Sequence, residues 1–218
     1  MPLEPYKKKR DFKNTPEPAG DGAVATDGKL HFVIQKHQAS HLHYDFRLEN
    51  HGVLRSWAVP KGPSMDHAVK RLAMEVEDHP IDYQHFEGTI PEGNYGAGTV
   101  MIWDNGEYFV DEQLSAKDND KKIAEDLAKG HLNFYLNGKK LHGKFTLFKL
   151  RGRKGNEWLL MKKTDEYANK PIPHENESVV SGRTLEEIGT QKTKTWKSNK
   201  AAARKPVEKK GAKVPKKK

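Results

Sequence analysis

Residues 35–48 read QKHQASHLHYDFRL. Leu42, Tyr44, Phe46 and Leu48 alternate with His43, Asp45 and Arg47, which predicts a strand with one apolar face and one face of metal-ligand and phosphate-binding types. A strand face that only meets water ordinarily carries Thr, Lys or Glu. His43 and Asp45 leave the same side of a strand with Cα atoms about 6.5–7 Å apart, a spacing from which two side chains converge on one ion. Arg47 is next on that side. On a straight strand His37 would stand about 20 Å from His43. A turn through 38–41 would bring it back, and Gln38, Ser40 and His41 break the apolar pattern there. Two imidazoles and a carboxylate leave half of an octahedral ion open to water and substrate, which suits Mn²⁺ or Fe²⁺ and, less distinctly, Zn²⁺. The plainer alternative is an amphipathic strand whose His43 and Asp45 simply face solvent, the common fate of a short motif.

A second concentration follows in AVPKGPSMDHAVKRLAMEVEDHPIDYQHFEG. Lys61, Arg71, His79 and Tyr83 are types that bind phosphate oxygens or deliver a proton to a leaving group. Glu77 and His79 are spaced to share a face. Taken singly, each is equally a surface charge or a satisfied polar group, and only the collection makes a site. The glycine-rich FEGTIPEGNYGAGTV lacks the order of a phosphate-cradling loop and precedes a strand pattern, so tight turns explain its glycines better. Asp118 and Asp120 form a D-x-D beside a helix start, where solvated capping is the expected role.

Holding such side chains takes a scaffold, and between Leu30 and Lys163 the sequence supplies short strands: LHFVIQKH, HYDFRLE, VLRSWAVPKG, RLAMEVED, GTVMIWD, EYFV, HLNFYLNG, KFTLFKL and EWLLMKK. Asp104-Asn105-Gly106 and Asn137-Gly138 are hairpin-turn signatures, and RGRKGN (151–156) is a looser connection. This spacing predicts an antiparallel barrel or sandwich. One helix is expected around Asp120–Lys129, with Ile123, Ala124, Leu127 and Ala128 on one stripe and Gly130 as its stop. A second short helix starts at Thr184, which has capping-box spacing to Glu187. Residues 1–28 show no periodic pattern and read as an extended arm. Pro171 and Pro173 lie in a loop expected to wrap back over the domain.

The chain of 218 residues suffices for one domain with a real core plus tails. With no cysteine, disulfides and thiolate metal sites are excluded, so any metal is held by His and carboxylate. No apolar run approaches a membrane span, and MPLEPYKKKRDF lacks the apolar stretch of a secretory signal; a soluble, intracellular protein with no membrane partner is expected. The net charge of +9 is unevenly spread. Residues 192–218 hold twelve Lys/Arg and one acid, leaving 27 basic and 29 acidic residues in 1–191. The Lys-rich end is expected to be disordered and to bind nucleic acid by counterion release, or to be no more than a solubilising tail.

The run QKHQASHLHYDFRLE, followed by SWAVPKGPS, VEDHPIDYQHFEGTIPEGNYGAGTV and WDNGEY, closely resembles the 3′-phosphoesterase module of bacterial DNA ligase D. The resemblance extends from RDFKNTPEP (10–18) to SGRTLEEI (181–188). It implies a mainly β fold: a compact antiparallel β-barrel with a polar, metal-holding interior and one or two short flanking helices. It divides the chain into an arm over the active site (1–29), the phosphoesterase barrel (30–190) and the basic tail (191–218). It implies one divalent metal, Mn²⁺ first and Co²⁺ or Zn²⁺ as alternatives, with His37, His43 and Asp45 as ligands. Arg47 and His79 correspond to the catalytic pair on the phosphate, and Lys61, Arg71, Glu77 and Tyr83 to its supporting shell. Arg10, Asp11 and Glu17 match the arm; nothing in composition or spacing singles them out.

The implied reaction is removal of a 3′-terminal ribonucleoside and then of the remaining 3′-phosphate, leaving a 3′-OH. The implied substrates are DNA or RNA/DNA primer–template 3′ ends in DNA repair and end joining. A separate ligase or a Ku-type end-binding protein would be the partner, in the cytoplasm and nucleoid of a prokaryote. The 218 residues contain no K-x-D-G nucleotidyl-transfer motif, so a stand-alone phosphoesterase is expected. Two other classes compete. A non-haem Fe(II) oxygenase also uses two His and one carboxylate, and would need O₂ and an oxo-acid. A non-catalytic DNA-end binding module with a structural metal would bind ends and yield no product.

Overall fold

Eight strands close into a barrel in the computed structural model, which describes residues 3–20, 27–152 and 155–190. The strands are β1 (His31–Gln38), β2 (Leu42–Asn50), β3 (Val53–Val59), β4 (Lys70–Glu75), β5 (His79–Pro80), β6 (Gly88–Ile90), β7 (Gly98–Phe109), β8 (His131–Gly138), β9 (His142–Lys149) and β10 (Glu157–Lys162). The helices are α1 (Glu4–Lys8), α2 (Ala116–Lys129) and α3 (Leu185–Thr190). The ring runs β1-β2-β3-β4-β10-β9-β8-β7 and returns from β7 to β1, with every neighbouring pair antiparallel. Closure leaves no open edge among these eight strands. β5 pairs with β3 and β6 with β7, outside the ring. The mainly β antiparallel barrel with short helices is therefore the architecture, and none of the described helices is long and apolar enough to cross a membrane. The basic tail lies outside the described residues.

Alternation decides which side chains fill the barrel. Each strand of the ring contributes to one buried cluster, including Ile34, Phe46, Trp57, Ala73, Trp103, Phe134, Phe145 and Trp158. Because all eight strands meet there, this cluster is the lumen. Full burial of such a side chain stabilises by roughly 1.5–3 kcal/mol, and the Trp57 and Trp158 rings meet edge-on at 5.8 Å. A second cluster uses the opposite parity: Val33, Leu54, Val100 and Ile102 from the wall, packed with Tyr6 of α1 and with Ile81, Tyr83 and Phe86. The barrel thus has an apolar lumen and an outer wall partly roofed by the N-terminal arm and residues 77–97. The polar interior expected from the resemblance is the space between that wall and its roof; the lumen itself is apolar.

Several local expectations change. The arm is not wholly extended, since Glu4–Lys8 form a helical turn with Pro5 in its first turn, where a missing N–H costs nothing. Asp104-Asn105-Gly106 does not close a hairpin. β7 runs unbroken through it, and the β1 register jumps so that Ile34 faces Asp104 while Gln35 faces Ile102, a bulge that bends the strand between β1 and β8. Asp104 accepts backbone N–H groups from Asn105, Lys139 and Lys140 on Oδ1 and from Leu141 on Oδ2. Its side chain anchors the β8–β9 turn that Asn137-Gly138 introduces. Asp104→Ala is expected to lower the free energy of unfolding by about 3 kcal/mol, because buried N–H groups lose their acceptor; urea denaturation measures it.

α2 begins one turn earlier than its apolar stripe suggests. Ser115 caps it by accepting the Asp118 N–H at 3.2 Å, and Gly130 ends it at φ +78°. The D-x-D pair splits between two roles, since Asp120 instead accepts the Asn50 amide and the His51 N–H. Thr184 and Glu187 exchange the two hydrogen bonds of a capping box ahead of α3.

Candidate metal and phosphate site

The turn at 39–41 folds β1 onto β2 so that His37 faces His43, Gln35 faces Asp45 and Val33 faces Arg47. Phe46 and Leu48 point into the lumen, so His43, Asp45 and Arg47 project from the outer wall beneath the roof. The ring nitrogens are assigned by their partners. His37 donates from Nε2 to the Gly96 carbonyl at 3.0 Å, which turns the Nδ1 lone pair towards Asp45 Oδ2 at 3.6 Å. His43 donates from Nδ1 to the His41 carbonyl at 3.0 Å, leaving Nε2 3.7 Å from Asp45 Oδ1. One donor atom from each residue lies within 4.8 Å of the others. Carbonyls that fix the far ring nitrogen are what orient histidines as metal ligands. Burial opposes ionisation of Asp45, yet the Arg47 charge first, with His37 and His43 beside it, holds its carboxyl well below the usual carboxylate range. This His-His-Asp group is able to hold a divalent metal.

Asp45 also links this group to a second one. Arg47 Nη2 lies 3.1 Å from Asp45 Oδ2. Arg47 Nε donates to Gln35 Oε1 at 2.8 Å and Nη1 to Ser56 Oγ at 2.9 Å, and its guanidinium carbon sits 4.9 Å from the Tyr83 ring centre. Ser56 is the cross-strand neighbour of Arg47 on β3. The guanidinium is therefore locked in one plane, as bidentate recognition of an oxyanion requires.

His79 is delivered by β5, opposite Leu54. It donates from Nδ1 to the Glu77 carbonyl at 2.9 Å. Its Nε2 is 3.1 Å from Arg10 Nη2; a guanidinium has only hydrogens to offer, so Nε2 accepts. Burial first, then the positive charges of Arg47 and Arg10, push its pKa well below the ordinary 6.5. Tyr6 and Tyr83 pack edge-on against the imidazole at 5.0 and 4.9 Å.

Arg10 ties the arm to the wall. Its Nε donates to Glu17 at 2.8 Å and its Nη1 to Glu77 at 3.3 Å. Tyr83 donates its hydroxyl to the same Glu17 oxygen at 3.0 Å, while burial, followed by the Glu17 charge, pushes the phenol well above its usual pKa. Burial opposes ionisation of Glu77 too, but its own backbone N–H, then Lys9 and Arg10, keep its pKa low. Asp11 stands outside this network: it is exposed, and its carboxylate accepts the Lys13 N–H and the Asn14 amide in the turn that follows. Lys61 is exposed in the turn after β3, whose Gly62 packs on the Tyr44 ring. Among the described residues it has no ion-pair partner. Arg71 does not join the cluster. On β4 it has the parity of Ala73, which fills the lumen, and its Nε is buried without a hydrogen-bond partner.

Gln35, Ser56, Tyr6 and Lys9 belong to the network and were not singled out from the sequence. Gln35 carried a signal, as a buried-strand amide two residues from His37 on the same face. Ser56 and Tyr6 carried none.

Residues 35–149 match the family described as the DNA Ligase D 3'-phosphoesterase domain. The chain is 48% identical over 192 residues to the multifunctional non-homologous end joining protein LigD of Pseudomonas aeruginosa, covering 84% of this chain and 22% of that protein. It is 40% identical over 169 residues to the protein of that name from Mycolicibacterium smegmatis, covering 78% of this chain and 21% of that one. The LigD of Mycobacterium tuberculosis, described as a multifunctional non-homologous end joining DNA repair protein, is 38% identical over 174 residues, covering 80% and 21%. The chain thus spans about a fifth of the length of the curated relatives it matches.

Proposed function

The chain belongs to the DNA ligase D 3′-phosphoesterase domain family, and on that premise we propose that it trims nucleic-acid 3′ ends by metal-dependent phosphoester hydrolysis. It removes a 3′-terminal ribonucleoside and then the 3′-phosphate, so that a ligase receives a 3′-OH. The observation that supports this best is the Asp45–Arg47 contact of 3.1 Å, which makes one strand face present a metal group and a phosphate clamp side by side.

His37, His43 and Asp45 are the residues that would hold the ion, Mn²⁺ in this reading. When bound, it neutralises phosphate charge and makes water a better nucleophile at neutral pH. Gln35, Ser56 and Asp45 engage three of the five N–H donors of Arg47, and the remaining ones would grip a phosphate oxygen. Arg47 is held rigidly by Gln35 and Ser56, so it meets the charge of the transition state without reorganising. Arg10 is already neutralised by Glu17 and Glu77; its task is to present and release His79 Nε2. Water adds to phosphorus, the P–O bond to the sugar breaks, and the leaving oxygen takes a proton. Exposed Lys61, in the turn after β3, would draw in the strand. Residues 30–190 form the catalytic unit in this reading, with the described part of the arm, 3–20, helping to roof its site.

A labelled DNA primer ending in one ribonucleotide, annealed to a template, tests the reaction. With Mn²⁺ the strand should shorten to a 3′-phosphate and then to a 3′-OH, and EDTA should stop both steps. A primer that is bound but never shortened would replace this reading with that of an end-binding module. Product that forms only with iron, O₂ and an oxo-acid would point to the oxygenase.

A further inference from the structure

We propose that Tyr95 is a stacking platform for the base of the nucleotide that carries the scissile phosphate, an inference that rests on the 3′-end reading above. Tyr95 is one of the few large side chains left open, at 49% exposure, and it stands at the edge of the roofed site. The next residue, Gly96, accepts the His37 hydrogen bond. On the other flank, Lys9 Nζ lies 4.7 Å and the Arg10 guanidinium carbon 5.5 Å from the Tyr95 ring centre. Arg10 Nη2 in turn touches His79 Nε2 at 3.1 Å. A single guanidinium therefore separates the ring from the phosphate clamp.

The loop that presents Tyr95 is built rather than loose. It joins β6 to β7 through two successive turns, in which Asn94 N–H reaches the Pro91 carbonyl and Ala97 N–H the Asn94 carbonyl. Gly98 lets it press on the β1–β2 turn: a Cβ there would lie 2.2 Å from the Gln38 carbonyl oxygen, and its φ of +144° suits only glycine. The loop backbone that carries the ring is thus fixed relative to His37. A π-face beside cations that track a phosphate is the combination by which proteins hold single-stranded ends without reading sequence. Lys9, bonded to Glu77 and to the Tyr95 hydroxyl, supplies the adjacent charge.

The test uses the full chain and a DNA strand with a 3′-phosphate, the last base being 2-aminopurine, whose fluorescence is quenched on stacking. In EDTA, binding should quench the probe with wild type and Tyr95→Phe but not with Tyr95→Ala. With Mn²⁺, Tyr95→Ala should raise KM about tenfold, Tyr95→Phe should restore it, and the difference should vanish on a strand whose last nucleotide lacks its base. If wild type releases phosphate while Tyr95→Ala matches it in quenching and KM, the platform is refuted and the 3′-end reading stands. If wild type releases no phosphate, that reading falls and the platform with it.

Discussion

Asp45→Ala is expected to abolish metal binding and reduce 3′-phosphate release by at least about 10³-fold, because a metal's charge stabilisation of several kcal/mol translates into rate at 1.36 kcal/mol per tenfold. No other single substitution removes so much. Asp45 lies 3.6 Å from His37 Nδ1, 3.7 Å from His43 Nε2 and 3.1 Å from Arg47 Nη2. Its loss takes away the only anionic ligand of the group and leaves two imidazoles beside a buried guanidinium, a setting that repels a cation. Arg47 keeps Gln35 and Ser56 but loses its counter-charge, so some loss of stability is also expected. Asp45→Asn separates the two effects. It preserves size and a hydrogen-bond acceptor, so the fold should survive by circular dichroism while a Mn²⁺ titration shows no saturable site. Turnover of Asp45→Asn within tenfold of wild type would remove Asp45 from the metal group.

The strand that bears this residue is the part of the molecule most openly written in the sequence. The alternation from Leu42 to Leu48 is strict because one side of β2 fills an apolar lumen and the other does not. The turn that returns His37 to His43 shows as a break in apolar pattern. Alternation cannot say, however, which face of a closed barrel wall is inside, and here the chemistry sits on the outer wall under a roof. The roof itself was invisible to periodicity: Arg10, Glu17 and Glu77 meet through a pairing between an arm and a loop far apart in sequence, and no local pattern encodes it. Resemblance alone supplied Arg10 and Glu17; strand spacing had put Glu77 beside His79, and residue type had nominated Arg71, which the fold turns the other way. Asp104-Asn105-Gly106 misled for a related reason. Its turn chemistry is real, but Asp104 spends it on the backbone of a neighbouring hairpin.

His79 is expected to gain a proton when a 3′-phosphate binds, and His79→Ala to lose roughly 10–10²-fold in turnover, the worth of one charge-assisted hydrogen bond. In the free protein its Nε2 accepts from Arg10 and its pKa lies well below 6.5, so at neutral pH the ring is uncharged and offers the phosphate a lone pair, which repels it. A phosphate oxygen bound between Arg47 and His79 reverses the balance. Its negative charge offsets the two guanidinium charges, Arg10 turns from Nε2 to the phosphate, and the protonated form becomes the favoured one. The sign follows: pKa rises on binding, so protons are taken up at neutral pH, and uptake fades as pH falls towards the free-state value, where the ring is already charged. Calorimetry in buffers of different ionisation enthalpy, with EDTA present, measures this uptake; His79→Gln should show none. The proton then belongs to a phosphate contact, and that assignment is separable from acid catalysis. On thymidine 3′-(p-nitrophenyl phosphate), whose leaving group needs no proton, His79→Ala should lose as much as it does on DNA. A nitrophenyl ester turned over at nearly the wild-type rate would instead give the proton to the leaving oxygen, and Arg47 would hold the phosphate alone.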